Sequence, residues 1–230
     1  MQTLIGNRIL DALPSAESAP LRAALEPVAL AAYDVVYVAG APIAAIYFPV
    51  TAVLSVLTVM RDGAAVEIGT FGCEGISGAQ IVLGSDRSPS QMICQVPGDA
   101  YRLPVAAFDA QLASSPNLRR LVRRYAQALF NFMGQSIACN RLHAVNERCA
   151  RWLLLTHDRV SGDAFSLTQE FLAIMLGVHR PVVSLAAAAL QVAGYIRYRR
   201  GQVEVRDRAG LESAACECYR INADEFARVV

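Results

Sequence analysis

The sequence predicts an α+β fold in three parts: an N-terminal antiparallel β-roll, a long dimerisation helix and a C-terminal winged helix-turn-helix. Three observations carry this expectation. Residues 28–103 read as short Val-, Ile-, Tyr- and Thr-rich runs between turn signals. At Pro116 the pattern becomes helical and stays so for about 25 residues. Residues 167–206 then read as two short helices joined by a tight turn and followed by an arginine-bearing hairpin. The expected domains are a β-roll over 1–115, the long helix over 116–142 and the winged unit over 143–230.

A chain of 230 residues that is 54% hydrophobic buries a sizeable core and lies far from the composition of disordered segments. The first residues lack a cationic stretch followed by an apolar run, so no signal peptide is expected. Apolar stretches are broken by Pro42, Pro49, Arg61, Asp163 and Arg180 before they reach membrane-spanning length. A soluble, cytoplasmic protein with no membrane partner is the expectation. The six cysteines (73, 94, 139, 149, 216 and 218) are scattered, which favours reduced thiols over a disulfide framework.

In chain order, helical segments are expected at Asn7 to Leu13 and from about Ala19 to Glu26. The runs AAIYFPV, LSVLTVM, AVEIGTF, SQMICQV and DAYRLP follow, separated by Pro49, Asp62-Gly63, a glycine-rich bend and Gly98-Asp99. That spacing predicts an antiparallel roll. From Pro116, a favoured first-turn residue, Leu118, Val122, Tyr125, Leu129 and Phe132 recur at alternating steps of four and three. This is the rhythm of a two-helix seam, so these residues are expected at a homodimer interface. The same stripe could instead pack on the chain's own roll. A second helix is expected over Val145 to Arg159, closed by Ser161-Gly162-Asp163.

Charge is unevenly placed. All 21 basic residues are Arg; residues 1–115 hold five of them against ten acids, whereas residues 116–230 hold sixteen against ten. The second half attracts polyanions and the first repels them. In the second half lies LTQEFLAIMLGVHRPVVSLAAAAL, where Thr168 is an N-cap and Glu170 follows in the first turn. Small Ala173 permits close helix approach, Gly177 supplies the turn, and Val178 and Val183 fill the angle between helices. After it, Tyr195–Arg199 and Gln202–Arg206 alternate around Arg200-Gly201, a hairpin carrying Arg197, Arg199 and Arg200. A winged helix uses such arginines on the phosphate backbone.

This layout resembles the Crp/Fnr family, the relatives of the cyclic-AMP receptor and the fumarate-nitrate regulator, across nearly the whole chain. The resemblance implies a cytoplasmic, homodimeric transcription regulator that binds double-stranded DNA, works with RNA polymerase and senses a small effector in a cyclic-nucleotide-binding-like jelly roll. It places DNA contacts at Thr168, Gln169, His179, Arg180, Pro181 and Ser184, with Arg197, Arg199 and Arg200 in the wing. Pro181 and Leu185 stand where the family usually has Glu and Arg, so a different half-site is expected. Effector contacts fall on Gly72, Glu74, Gly75, Arg87 and Ser88, with Gly78 at the end of the same bend. Arg87-Ser88 is out of step with the phosphate-holding pair by one residue, which argues against a cyclic nucleotide.

No metal, haem or iron–sulfur cluster is expected. The histidines are His143, His157 and His179, so the roll contains none, and Cys73 and Cys94 are too few for a four-thiolate cluster. Cys216-x-Cys218 could bind a metal or sense oxidation, but two thiolates with no histidine near them in sequence read as structural. No nucleophile, base and orienting group stand together, so no enzyme activity is expected. The alternatives are a cupin-like metal enzyme, which the missing histidines disfavour, and a nucleotide-sensing adaptor without DNA binding, which has no use for the arginine-rich wing.

Overall fold

The computed structural model describes residues 5–230; Met1 to Leu4, the start of the segment read as lacking a signal peptide, lie outside it. The chain begins with α1 (Arg8–Asp11) and α2 (Ser15–Ala24). Strands β1 (Glu26–Leu30), β2 (Val35–Tyr37), β3 (Ala45–Pro49), β4 (Val53–Val59) and β5 (Ala65–Phe71) follow. Next come α3 (Ala79–Val82), β6 (Gln91–Val96) and β7 (Gly98–Pro104). All strand pairs are antiparallel, in two sheets ordered β1-β7-β3 and β2-β6-β4-β5. Ile46, Phe48, Leu54, Phe71, Met92 and Leu103 are buried in their core. The expected roll is therefore present.

Helix α4 (Val105–Ser114) leads into α5 (Pro116–Leu142). Ser115 caps α5 by accepting from the Leu118 amide at 3.1 Å, and Pro116 occupies its first turn. The remainder comprises α6 (Val145–His157), β8 (Ala164–Ser166), α7 (Gln169–Leu176), α8 (Arg180–Val192), β9 (Ile196–Arg199), β10 (Gln202–Val205), α9 (Arg208–Ala214) and α10 (Cys218–Ala227). Strands β8, β10 and β9 form a small antiparallel sheet. No single helix among the described residues is long and apolar enough to cross a membrane.

The four-three stripe of α5 is covered by the chain itself, which corrects the expected seam. Leu118, Val122, Tyr125, Leu129 and Phe132 are all buried within one copy. A Cβ placed on Gly69 of β5 would lie 3.7 Å from both Leu129 and Phe132. Phe226 of α10 covers the other side, with its ring 5.7 Å from Phe132 and 6.2 Å from Tyr125. Periodicity identifies the apolar face of a helix but not what covers it. The opposite face carries Arg123, Gln127, Phe130, Gly134, Ile137 and Arg141, all exposed and again at alternating steps of four and three.

The C-terminal unit packs on the roll through α6. Ser55 on β4, Glu67 and Thr70 on β5 and Gln95 on β6 form a buried polar group linked by hydrogen bonds. Helix α6 closes over it: Trp152 Nε1 donates to Glu67 at 2.9 Å, and Gln95 donates to Thr156 at 3.0 Å. One contiguous hydrophobic cluster runs from Ile9 to Val229.

Candidate nucleic-acid interface

Helices α7 and α8 meet at 103°, within the range of a helix-turn-helix. Thr168 Oγ1 caps α7 by accepting from the Phe171 amide at 3.1 Å. Gly177 ends α7 at φ +62°, the left-handed conformation that glycine adopts without cost. The Val178 amide closes the turn on the Ala173 carbonyl at 3.1 Å. Ala173, Val183, Ala186 and Leu190 are buried between the helices.

That packing leaves the amino end of α8 facing out. His179 is its N-cap residue without a side-chain capping bond, and His179, Arg180 and Pro181 are exposed. Ser184 donates to the Gln169 carbonyl oxygen at 2.8 Å or to the Arg180 carbonyl at 3.1 Å, tying the start of α7 to α8. Leu185 is 74% exposed one turn on, giving the face an apolar patch beside the Arg180 guanidinium.

The hairpin of β9 and β10 turns at Arg200 (φ +53°) and Gly201 (φ +73°), the two-residue geometry that matches strand twist. Arg199 and Arg200 project from it exposed. Arg197 lies opposite Glu204 in register and 3.8 Å from its carboxylate, which also holds Arg206 at 2.8 Å. Arg197 thus offers less free charge to a polyanion than its two neighbours.

The bend at residues 72–78 has another use from the one expected. Glu74 is buried and paired with buried Arg159 at 2.7 Å. A Cβ on Gly72 would sit 3.2 Å from the Arg159 side chain, and one on Gly75 would enter the Tyr125 ring at 2.4 Å. Arg87 turns to the surface and donates to the Gly40 carbonyl at 2.9 Å. Ser88 turns inward and donates to the Ser90 carbonyl at 2.6 Å. Of the residues expected to contact an effector, Glu74, Gly72 and Gly75 are therefore occupied by the chain's own Arg159 and Tyr125, and Ser88 is turned inward, whereas Arg87 stays at the surface. The glycines admit the chain's own Arg159 and Tyr125, from positions far along the sequence.

The fold also gathers residues that sequence reasoning keeps apart. His143, at the end of α5, lies with Nδ1 3.5 Å from the Cys218 sulfur, and Cys139 lies 3.5 Å from Cys216. The premise that Cys216 and Cys218 have no nearby histidine is corrected: they are about 75 residues from His143 in sequence but adjacent in space.

Residues 147–214 match the family model described as a Crp-like helix-turn-helix domain. The chain is similar in fold to FixK2 from Bradyrhizobium japonicum, at 14% identity and a TM-score of 0.72, over 84% of this chain and 98% of that one. It is also similar to the c-di-GMP-responsive global regulator CLP of Xanthomonas campestris, at 16% identity and a TM-score of 0.63, over 84% and 99% of the two chains. A CRP/FNR-family transcriptional regulator of Thermus thermophilus aligns at 21% identity and a TM-score of 0.55, over 83% and 98%. No curated protein sequence matches significantly.

Proposed function

We propose that this chain, which has a Crp/Fnr-type transcription-regulator fold with a Crp-like helix-turn-helix domain, is a homodimeric regulator whose α8 reads the major groove of double-stranded DNA. The observation that carries the reading is the exposed amino end of α8 beside an arginine-bearing hairpin. Arg180 has the reach and the fork to grip guanine O6 and N7 together. Pro181 supplies a first-turn φ without a donor, and Leu185 suits a thymine methyl group, so the half-site contains a guanine followed by thymine. His179 and Ser184 flank this contact. Thr168 and Gln169, at the amino end of α7, together with Arg199 and Arg200, hold phosphates and fix the register.

A second copy completes the reader. The exposed stripe of Phe130, Gly134 and Ile137, rimmed by Arg123, Gln127 and Arg141, has the repeat of a two-helix seam, and Gly134 lets two helices approach closely. The domain division at 116 and 143, action with RNA polymerase and a cytoplasmic location go with this reading. The bend at 72–78 is left out of it, because Arg159 satisfies Glu74.

Selection from random duplexes followed by a salt-dependent mobility-shift titration tests the proposal. The expected result is a two-fold-related site on which Arg180→Ala costs about 1–3 kcal/mol while binding to scrambled duplex changes little. Equal loss on both duplexes would reassign Arg180 to phosphate. Failure to enrich any sequence would overturn the regulator reading.

A further inference from the structure

We propose that Cys139, His143, Cys216 and Cys218 form a tetrahedral Cys3His site for a zinc-like divalent ion that clips α10 to the carboxyl end of α5. The ligands come in two pairs from two elements. Cys139 and His143 are four residues apart at the end of α5, so they share one face. Cys216 precedes α10 and Cys218 is its first residue. One donor atom from each lies within 4.8 Å of all the others. A tetrahedral ion bound at about 2.3 Å to sulfur and about 2.0 Å to nitrogen sets its donors roughly 3.5–3.8 Å apart. The Cys139–Cys216 sulfurs and the Cys218–His143 pair are each separated by 3.5 Å, matching two edges of that tetrahedron. Four donors this close enclose one ion; a cluster of several irons needs a wider mouth.

The surroundings fit a metal better than a packed group of thiols. His143 uses Nδ1 toward Cys218 and directs Nε2 to the Glu217 carboxylate at 3.1 Å, the carboxylate–histidine arrangement that orients a ligating imidazole. Gln135 donates to the Cys218 sulfur at 3.1 Å, a bond suited to a thiolate. Three thiolates and a neutral imidazole around a divalent ion leave one net negative charge in a buried place. Arg148 and Arg151 are buried beside it, in electrostatic contact with Cys139, and Arg148 Nε with Arg151 Nε and Nη1 have no hydrogen-bond partner. With the ion bound, these guanidiniums meet a compensating anion. Three thiolate ligands select a soft or borderline ion such as Zn(II) over Mg(II) or Ca(II).

The test is metal analysis and Co(II) substitution on the full chain purified under reducing conditions, with no DNA present. One zinc per chain is expected, and Co(II) should give thiolate charge-transfer bands and the visible bands of a tetrahedral centre. Cys216→Ser and His143→Gln should lose stoichiometric zinc, while Cys94→Ser retains it. Glu217→Gln should bind about 10–100-fold more weakly. If the ligand variants fail to fold, alkylation of the native protein decides: Cys139, Cys216 and Cys218 should be protected until a chelator is added. No bound metal together with no Co(II)–thiolate band would overturn the proposal. So would a Cys139–Cys216 disulfide accounting for all protection from alkylation.

Discussion

Arg159 is the residue on which the two halves of the chain converge. It sits just after α6, pairs with Glu74 at the roll's bend, donates to the Leu155 carbonyl and lies 5.8 Å over the Phe226 ring. Arg159→Leu leaves Glu74 buried and uncompensated, so a loss of about 3–5 kcal/mol is expected in urea unfolding. Adding Glu74→Gln should recover much of it, because the cost resides in the unpaired charge. Glu67 behaves differently. Burial pushes its carboxyl up to about 7, outweighing the hydrogen bonds from Ser55 and Trp152 and the charges of Arg151 and Arg159. Between its ordinary value of 4.5 and about 7 the folded chain therefore holds a proton that the unfolded chain has released. The contribution of Glu67 to stability is greatest below pH 4.5, falls as pH rises through that window, and stays reduced above it. The shift corresponds to roughly 3 kcal/mol. Urea unfolding of wild type and Glu67→Gln should show wild type losing stability relative to the variant from pH 4.5 to about 7; a constant difference would refute the assignment.

Helix α5 presents two stripes with the same rhythm, one apolar and buried, the other exposed with Phe130 and Ile137 among polar residues, and the two should respond oppositely to a charge. Leu129→Asp places a carboxylate against Phe132 and the β5 backbone, and should unfold the chain rather than merely separate two copies. Phe130→Asp and Ile137→Asp alter side chains that are each 73% exposed in one copy. They should leave circular dichroism unchanged and yield monomers by light scattering, because like charges would face each other across the two-fold axis. A dimer surviving both changes would place the seam elsewhere. These stripes mark the limit of what sequence carries. The roll, α5, α7, α8 and the wing are legible because caps, Gly177 and short-range periodicity are local properties. Helices α4 and α10 are not, since Val105–Ser114 and Cys218–Ala227 have no side-chain cap at their starts. The exposed residues at the amino end of α8 are legible for the same local reason. The occupants of the glycine bend and the Cys139–Cys218 cluster are not, because Arg159 is 85 residues from Glu74 and Cys216 is 77 from Cys139.

At the scale of the molecule, the proposed DNA recognition depends on where the fold places α8. The turn between α7 and α8 rests on the roll: a Cβ on Gly177 would approach Val66 Cγ2 to 3.1 Å, and Phe171 meets the Tyr33 ring edge-on at 5.3 Å. With Glu67–Trp152 and Glu74–Arg159, these contacts hold the helix-turn-helix in a fixed relation to the roll and hence to α5. In the proposed dimer, two copies paired along α5 carry two α8 helices related by one two-fold axis. Such dimers engage half-sites about 34 Å, or one helical turn, apart on one face of the duplex. On the proposed reading the spacing is set by these rigid contacts, and the sequence within each half-site by Arg180 and Leu185. Inserting about 5 bp between the half-sites moves the second to the opposite face of the DNA, and binding should fall to that of a single half-site. Inserting a full turn of about 10 bp restores the face but doubles the separation, so a rigid dimer should not recover. Mobility-shift titration of the three duplexes at one salt concentration measures this. Equal affinity for all three would mean that the helix-turn-helix units swing independently of the roll, and the interdomain contacts through Val66, Trp152 and Arg159 would not set their placement.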